Sequence, residues 1–246
     1  MTKKVALVTG ASSGIGTAAV RQLAQNGYSV FAAGRDEDRT RGLAKDITGV
    51  TPWVGDLAGA DQCDAVVAAC VDAFGRLDLL VNNAGIYHSA NAEKTSDENW
   101  QQTIAINLSA PFFLSRAALP HLRKGPGVIL NIASDWGICG GKNAVAYCAS
   151  KGGLVLMSKA MALDHAGERI RVNAICPGDV ETPMLYAEGA VRGLQPHDAT
   201  READAASPTG RVTSADEVAA LIVYLASDAA AQITGAAIPI DGGNTA

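Results

Sequence analysis

The chain has 246 residues, of which 48% are hydrophobic, 18% charged and 5% aromatic, and its formal net charge is −5. Disorder requires low hydrophobicity and high charge, so it is excluded for the bulk of the chain, and the acidic balance argues against a nucleic-acid-binding surface, whose footprint is a basic stripe. With 26 glycines and few aromatic rings, the composition suits closely packed helices and strands better than an aromatic-rich β-sandwich.

Strand-like and helix-like segments alternate from end to end. Val5–Thr9 is a short apolar run, followed by a helix over Ile15–Asn26 that Gly27 is placed to end. Tyr28–Ala33 is a second strand, and Val50–Gly55 a weaker third before the helix Asp61–Phe74. Leu77–Val81 is a purely apolar fourth strand. Trp100–Leu122 reads as one long helix in which Pro111 introduces a kink or marks an irregularity. The strand Val128–Ala133, the helix Tyr147–Ala166 and the strand Arg171–Ile175 follow. A helix over Ser214–Ser227 opens with Ser214 and Glu217 in a capping-box pattern, and Ala236–Ile240 is the last strand. Continuous apolar strands separated by helices predict a parallel sheet covered on both faces. No linker divides residues 1–246, which read as a single doubly wound α/β domain. The least regular stretch, Met184–Gly210, reads as a substrate lid.

Five cysteines without a CxxC pair read as reduced thiols, and the four scattered histidines offer no metal-ligand spacing, so no metal is expected. The apolar run from Val5 to Val8 is too short for a signal peptide. The stretch Val218–Ala226 is far below the ~20 residues a membrane span needs. A cytoplasmic protein without membrane or nucleic-acid partners is expected.

The turn Thr9-Gly10-Ala11-Ser12-Ser13-Gly14-Ile15-Gly16 joins the first strand to the first helix. Glycines there permit a tight turn and let backbone N–H groups approach a pyrophosphate, whose charge the helix N-terminus favours. Tyr147 and Lys151 are four apart on a predicted helix, so they stack on one face, one turn apart. A free phenol with pKa ~10 is a poor acid–base at neutral pH. A neighbouring ammonium is expected to lower it, so that the pair exchanges a proton with a carbonyl or alcohol oxygen. Ser134 lies just past a strand, at the carboxyl end where a parallel sheet keeps its ligand crevice. Its hydroxyl suits either that oxygen or an N-cap.

With these motifs in order, the chain resembles the classical short-chain dehydrogenase/reductases over nearly all its length, from Val5 to Gly243. The glycine-rich turn resembles the family's cofactor turn, and Asn82-Asn83-Ala84-Gly85 resembles its NNAG motif. Asn107, Ser134, Tyr147 and Lys151 fall where its catalytic tetrad falls, and Pro177-Gly178 with Val180-Glu181-Thr182 resembles its nicotinamide-side motif. The resemblance implies a Rossmann-type fold and an NAD(P)-dependent oxidoreductase, an alcohol dehydrogenase or carbonyl reductase. Such an enzyme transfers a hydride between the cofactor and a small-molecule ketone or secondary alcohol. It implies Tyr147 as general acid–base, Ser134 as partner of the substrate oxygen, and Lys151 as both tuning Tyr147 and binding the ribose. Asn107 would hold a water that links Lys151 to solvent. By the same resemblance Gly10, Ser12, Ser13, Ile15 and Gly16 line the cofactor at the turn, with Asp56 and Leu57 near the adenine. Asn83, Ala84 and Gly85 lie beside the adenosine ribose, and Pro177, Gly178, Val180 and Thr182 near the carboxamide.

An acid about 20 residues past the last glycine would bind the ribose of NAD, and that count lands on Asp36. In NAD-preferring relatives, however, the acid stands directly at the end of the second strand, where this chain has Gly34 followed by Arg35. A guanidinium there pairs with a 2′-phosphate, so NADP(H) is favoured and NAD(H) is the alternative. Ile86, His88, Trp136, Ile138, Cys139, Asn143, Met184 and Tyr186 are expected pocket residues. Two other readings stay open: a 3-oxoacyl carrier protein reductase, with Arg116, Arg123 and Lys124 meeting the acidic carrier, and a non-catalytic nucleotide-sensing module. A homotetramer is expected from the family's habit, with a dimer as the second choice, and Ala160-Met161-Ala162 and Ala229-Ala230-Ala231 are faces that permit close approach.

Overall fold

The computed structural model describes residues 3–246. Seven strands form one parallel sheet: Val5–Thr9 (β1), Ser29–Gly34 (β2), Val50–Val54 (β3), Leu79–Asn82 (β4), Gly127–Ile132 (β5), Ile170–Pro177 (β6) and Ala237–Ile240 (β7). Their spatial order is β3-β2-β1-β4-β5-β6-β7, so the chain changes direction of travel between β1 and β4. A doubly wound sheet keeps its ligand crevice at that switch point, outside the carboxyl ends of the strands.

Alternation of side chains divides the strands between two cores. Ala6, Val8, Val30, Leu79 and Leu130 face one side, under the helices Gly14–Gln25 (α1) and Ala215–Ala226 (α9). Val5, Leu7, Phe31, Leu80 and Ile129 face the other, under Ala60–Phe74 (α3), Ala110–Leu122 (α5) and part of Val145–His165 (α6). Covering on both faces explains the unbroken apolar runs. The capping box at Ser214 and Glu217 forms as expected.

One helix was not expected, and two readings gain detail. First, the charged run after β2 opens a helix, Glu37–Asp46 (α2), which buries only Thr40 and Leu43 and so shows no apolar stripe. Second, the stretch Met184–Gly210 is largely helical: Pro183–Val191 (α7) and Pro196–Ala206 (α8) each begin with a proline whose missing N–H costs nothing in a first turn. Third, the long helix is divided into Asp97–Ile104 (α4), a π-helical turn at Ala105–Ser109 and α5. Pro111 lies in the first turn of α5. It has no N–H to give to the carbonyl of Asn107, four residues back, which accounts for the break there.

Candidate active site

A cleft of about 410 Å³ runs along the carboxyl ends of the central strands, from Arg35 and Arg39 at one end to Met184 and Glu188 at the other. Its floor at the β1 end is the glycine-rich turn. Gly10 and Gly14 have φ of +62° and +51°, which side chains rarely adopt. A Cβ on Gly16 would lie 2.1 Å from the Gly10 carbonyl oxygen. Gly16 therefore packs under the turn and does not line the cleft, whereas Gly10, Ser12, Ser13 and Ile15 do. The Ser13 side chain makes no capping bond, and the first turn of α1 carries no acid. The positive end of that helix is thus left open to an anion, which fits a dinucleotide pyrophosphate.

Asn83 braces this turn: its Nδ2 donates to the carbonyls of Thr9 (3.0 Å) and Gly10 (3.1 Å). Thr9 Oγ1 in return accepts from the N–H groups of Asn83 and Ala84. Asn83, Ala84 and Gly85 line the cleft, as do Asp56 and Leu57 on the β3 side and Pro177, Gly178, Val180 and Thr182 on the β6 side.

At the end of β2, Arg35 is exposed on the cleft and makes no hydrogen bond or ion pair among the described residues. Asp36 is committed elsewhere: its side chain caps α2 through Arg39 N (2.9 Å) and pairs with Arg39 Nε (2.8 Å). Gly34 is packed so tightly that a Cβ would sit 2.4 Å from Thr40 Oγ1. An acid at position 34, as in NAD-preferring relatives, therefore has no room here.

At the other end, Tyr147 and Lys151 share the cleft-facing side of α6 with Ser134, which caps the 3₁₀ turn Asp135–Gly137 through Trp136 N (3.1 Å). Tyr147 lies beside Ser134 in the cleft, and its ring meets Tyr87 and Trp136 edge-on at centroid distances of 5.2 and 6.2 Å. Lys151 is buried, with Nζ 2.7 Å from the Ile132 carbonyl and 5.6 Å from the Tyr147 ring centroid. Burial draws its pKa down to about 8. Burial also raises the Tyr147 phenol above its ordinary value, and the Ser134 hydrogen bond only partly offsets this. The expected lowering of the phenol by Lys151 is thus not what this geometry gives: desolvation sets the direction.

Asn107 stands in the π-helical turn, fully buried and behind the cleft wall. Its Oδ1 accepts from Ile86 N (2.9 Å), and its Nδ2 donates to the Ile86 carbonyl (2.9 Å) and Ser150 Oγ (3.2 Å). A Cβ on Gly85 would lie 3.5 Å from both Asn107 Oδ1 and Lys151 Nζ, so the bare glycine lets the two groups face one gap.

Of the expected pocket residues, Ile86, Trp136 and Met184 line the cleft; His88, Ile138, Cys139, Asn143 and Tyr186 do not. Sequence reading missed Tyr87, Glu188 and above all Asp135, whose only signal was an acid directly after Ser134 at the strand end. Among the described residues no cluster could hold a metal ion and no helix is long and apolar enough to cross a membrane.

A nucleotide-sized cleft at the switch point, with a phosphate-accepting turn at one end and a tyrosine–lysine pair at the other, defines a dinucleotide-dependent oxidoreductase. Residues 10–245 match the family described as enoyl-(acyl carrier protein) reductase. The chain belongs to the short-chain dehydrogenase/reductase family, and it transfers hydride between a nicotinamide cofactor and its substrate. It is 38% identical over 245 residues to the 3-oxoacyl-[acyl-carrier-protein] reductase of Thermotoga maritima, covering 98% of this chain and 97% of that one. It is 39% identical over 242 residues to the L-fucose dehydrogenase of Bos taurus, covering 98% and 88%. Among solved structures, an actinorhodin polyketide ketoreductase with NADPH superposes with a TM-score of 0.93 at 35% identity, over 98% of this chain and 97% of that one. The 3-ketoacyl-(acyl-carrier-protein) reductase of Brucella melitensis with NADH superposes with a TM-score of 0.90 at 32% identity, over 99% and 98%.

Proposed function

We propose that the chain is an alcohol dehydrogenase or carbonyl reductase that prefers NADP(H), with Tyr147 as its acid–base. The observation that carries this reading is the convergence of Tyr147, Ser134 and buried Lys151 on the cleft, at the end away from Arg35. When bound, the nicotinamide supplies or takes the hydride. The N–H groups of the turn from Gly10 to Ile15 hold the pyrophosphate, and Val180 and Thr182 bound the carboxamide. Lys151 holds the ribose hydroxyls and keeps a positive charge near the Tyr147 ring. Tyr147 passes the proton at its phenolic oxygen to or from the substrate oxygen, which Ser134 also contacts. Asn107 fixes the Ile86 backbone and faces the gap beside Lys151, where a water linking Lys151 to solvent would sit. The short helices α7 and α8 act as the substrate lid, reaching the cleft through Met184, Leu185 and Glu188.

Cofactor choice rests on Arg35. A charge-assisted bond to a 2′-phosphate contributes about 1.5–3 kcal/mol, trimmed by exposure, so a preference of about tenfold to a hundredfold for NADPH is expected. The test is a panel of carbonyls and alcohols assayed with both cofactors, in wild type and Arg35→Ala. The ratio of kcat/KM values should favour NADPH in wild type and collapse toward unity in the variant; a ratio that does not move removes Arg35 from the assignment.

The carrier-protein reading draws on the Thermotoga maritima relative, but the basic residues expected to serve it do not border the cleft. Arg123 and Lys124 directly precede β5, at the opposite end of the sheet, and Arg116 stacks on Phe112 and Phe113. For the homotetramer, Met161, Ala162 and Ala230 are in the core and cannot form the contacts. Exposed apolar side chains on α5, α6 and α9 are instead Phe112, Leu156, Leu163 and Tyr224, with Leu163 83% exposed. Burying them between copies in a cytoplasmic tetramer removes apolar surface from water. Light scattering at micromolar concentration should give four times the chain mass; a monomer mass counts against it.

A further inference from the structure

The two ends of the cleft differ in charge. Arg35 and Arg39 stand at the cofactor end, whereas Asp135, Asp179 and Glu188 line the substrate end, where Lys151 is the one lining cation among the described residues. The Asp135 carboxylate is occupied, since it accepts from Ser134 Oγ, Trp136 N and Asn244 Nδ2. Glu188, on α7, is not. Its side chain is 25% exposed, and its ion-pair partner Arg192 lies 3.9 Å away. Arg192 is held more closely by Glu202 on α8. One guanidinium is thus shared by two carboxylates, and a negative charge is left over at the lid. That charge is felt in the site. Desolvation and then the charges of Asp135 and Glu188 hold the Asp179 carboxyl above its ordinary value. Desolvation first, and Glu188 after it, also raise the Tyr87 phenol, whose ring meets that of Tyr147 at 5.2 Å. Ile86, Trp136, Met184 and Leu185 give the same end its apolar walls.

We propose that Glu188 is a specificity-determining residue, which makes ketones and alcohols that carry a protonated amine on an apolar body the preferred substrate class and disfavours those that carry a carboxylate. The apolar walls take the hydrocarbon body. An ammonium group gains from the uncompensated carboxylate of Glu188 and from the ring faces of Tyr87 and Trp136, which attract cations. A carboxylate placed there meets charges of its own sign in a partly desolvated site, and like-charge juxtaposition is costly.

The inference rests on the proposed reading of this cleft as a carbonyl reductase site and is tested apart from it. The probes are ketones of one skeleton: para-(aminomethyl)acetophenone, a cation at neutral pH; para-methylacetophenone, which is neutral; and para-acetylbenzoate, an anion. Their dissociation constants for the enzyme saturated with oxidised cofactor are read by calorimetry, which needs no turnover. Wild type should bind the cation about ten- to a hundredfold more tightly than the anion, with the neutral ketone between them, and added salt should shrink the gap. Glu188→Gln should narrow the gap by about three- to tenfold, because the side chain keeps its shape and loses its charge. Arg192→Gln removes the cation that Glu188 shares, and should widen it. Lid damage would weaken all three ligands together in either variant, and that result overturns the proposal. So does a wild type that binds the anion as tightly as the cation, or binds none of the three, or a gap that Glu188→Gln leaves unchanged. If Glu188→Gln does not fold, the widening in Arg192→Gln and the salt dependence carry the test. Tyr147→Phe should keep the order of the dissociation constants while losing turnover. Full activity in that variant would overturn the acid–base reading and leave the charge preference standing.

Discussion

Replacing Tyr147 by phenylalanine should lower turnover by about 10²–10⁴-fold while leaving the fold and cofactor affinity intact, because positioned acid–base catalysis is worth that much. Only one oxygen is removed. The ring keeps its edge contacts with Tyr87 and Trp136, so packing gives no reason for collapse. Ser134 keeps its bonds to Asp135 and Trp136 N, so its place does not depend on the phenol. Burial holds the phenol above its ordinary pKa, so at neutral pH Tyr147 carries its proton and is ready to give it to a forming alkoxide. Single-turnover oxidation of the reduced cofactor, followed by absorbance, checks the rate, and fluorescence titration checks the cofactor. Retention of most activity would remove Tyr147 from the mechanism.

Lys151→Met should abolish most activity and weaken cofactor binding, and yet leave the unliganded protein at least as stable as wild type. Lys151 is 4% exposed, and its pKa drawn down to about 8 means that folding disfavours its charge. Against an ordinary value of about 10.5, that difference corresponds to a cost on the order of 3 kcal/mol at neutral pH. Methionine fills similar volume without it, though the bond to the Ile132 carbonyl is lost. The pH dependence follows from the same shift. Between pH 8 and about 10 the unfolded lysine still binds its proton and the folded one has released it, so wild-type stability should rise with pH across that window. The variant should lack this rise. Thermal melts of both proteins across the window check the sign; parallel curves would show that Lys151 is not held at a cost.

The strands were the most legible part of the molecule because a sheet covered on both faces writes itself as continuous apolar runs. Helix α2 was hidden because it buries only Thr40 and Leu43 beneath a charged surface. Helix α8 buries only two alanines, Ala199 and Ala203, whose small side chains leave a faint pattern. In the site, Tyr147, Lys151 and Ser134 could be read from local spacing and strand ends. Asp135 could not, since its meaning depends on Asn244, 109 residues away. Nor could the crowding at Gly34, which comes from Thr40 folding back over the strand end. Pro111 announced an irregularity, but not that five residues would close as a π-turn.

That turn also sets how the chain tolerates gain and loss of residues. An α-helix rotates each successive side chain by about 100°, and the wider i→i+5 closure absorbs one residue without advancing the helix by its normal step. The segments on either side of Ala105–Ser109 are therefore out of phase with one another, and both rely on it: Thr103 is buried on the near side, and Leu114 and Ala118 on the far side. Deleting a single residue within the turn would make a better helix and a worse protein. One half would swing by about 100° relative to the other, carrying either the Asn107 carboxamide away from Ile86 or the apolar face of α5 out of the core. Loops between elements accept such length changes readily, whereas here, mid-helix, the spare residue is an indel-intolerant point at which backbone periodicity and side-chain placement are locked together.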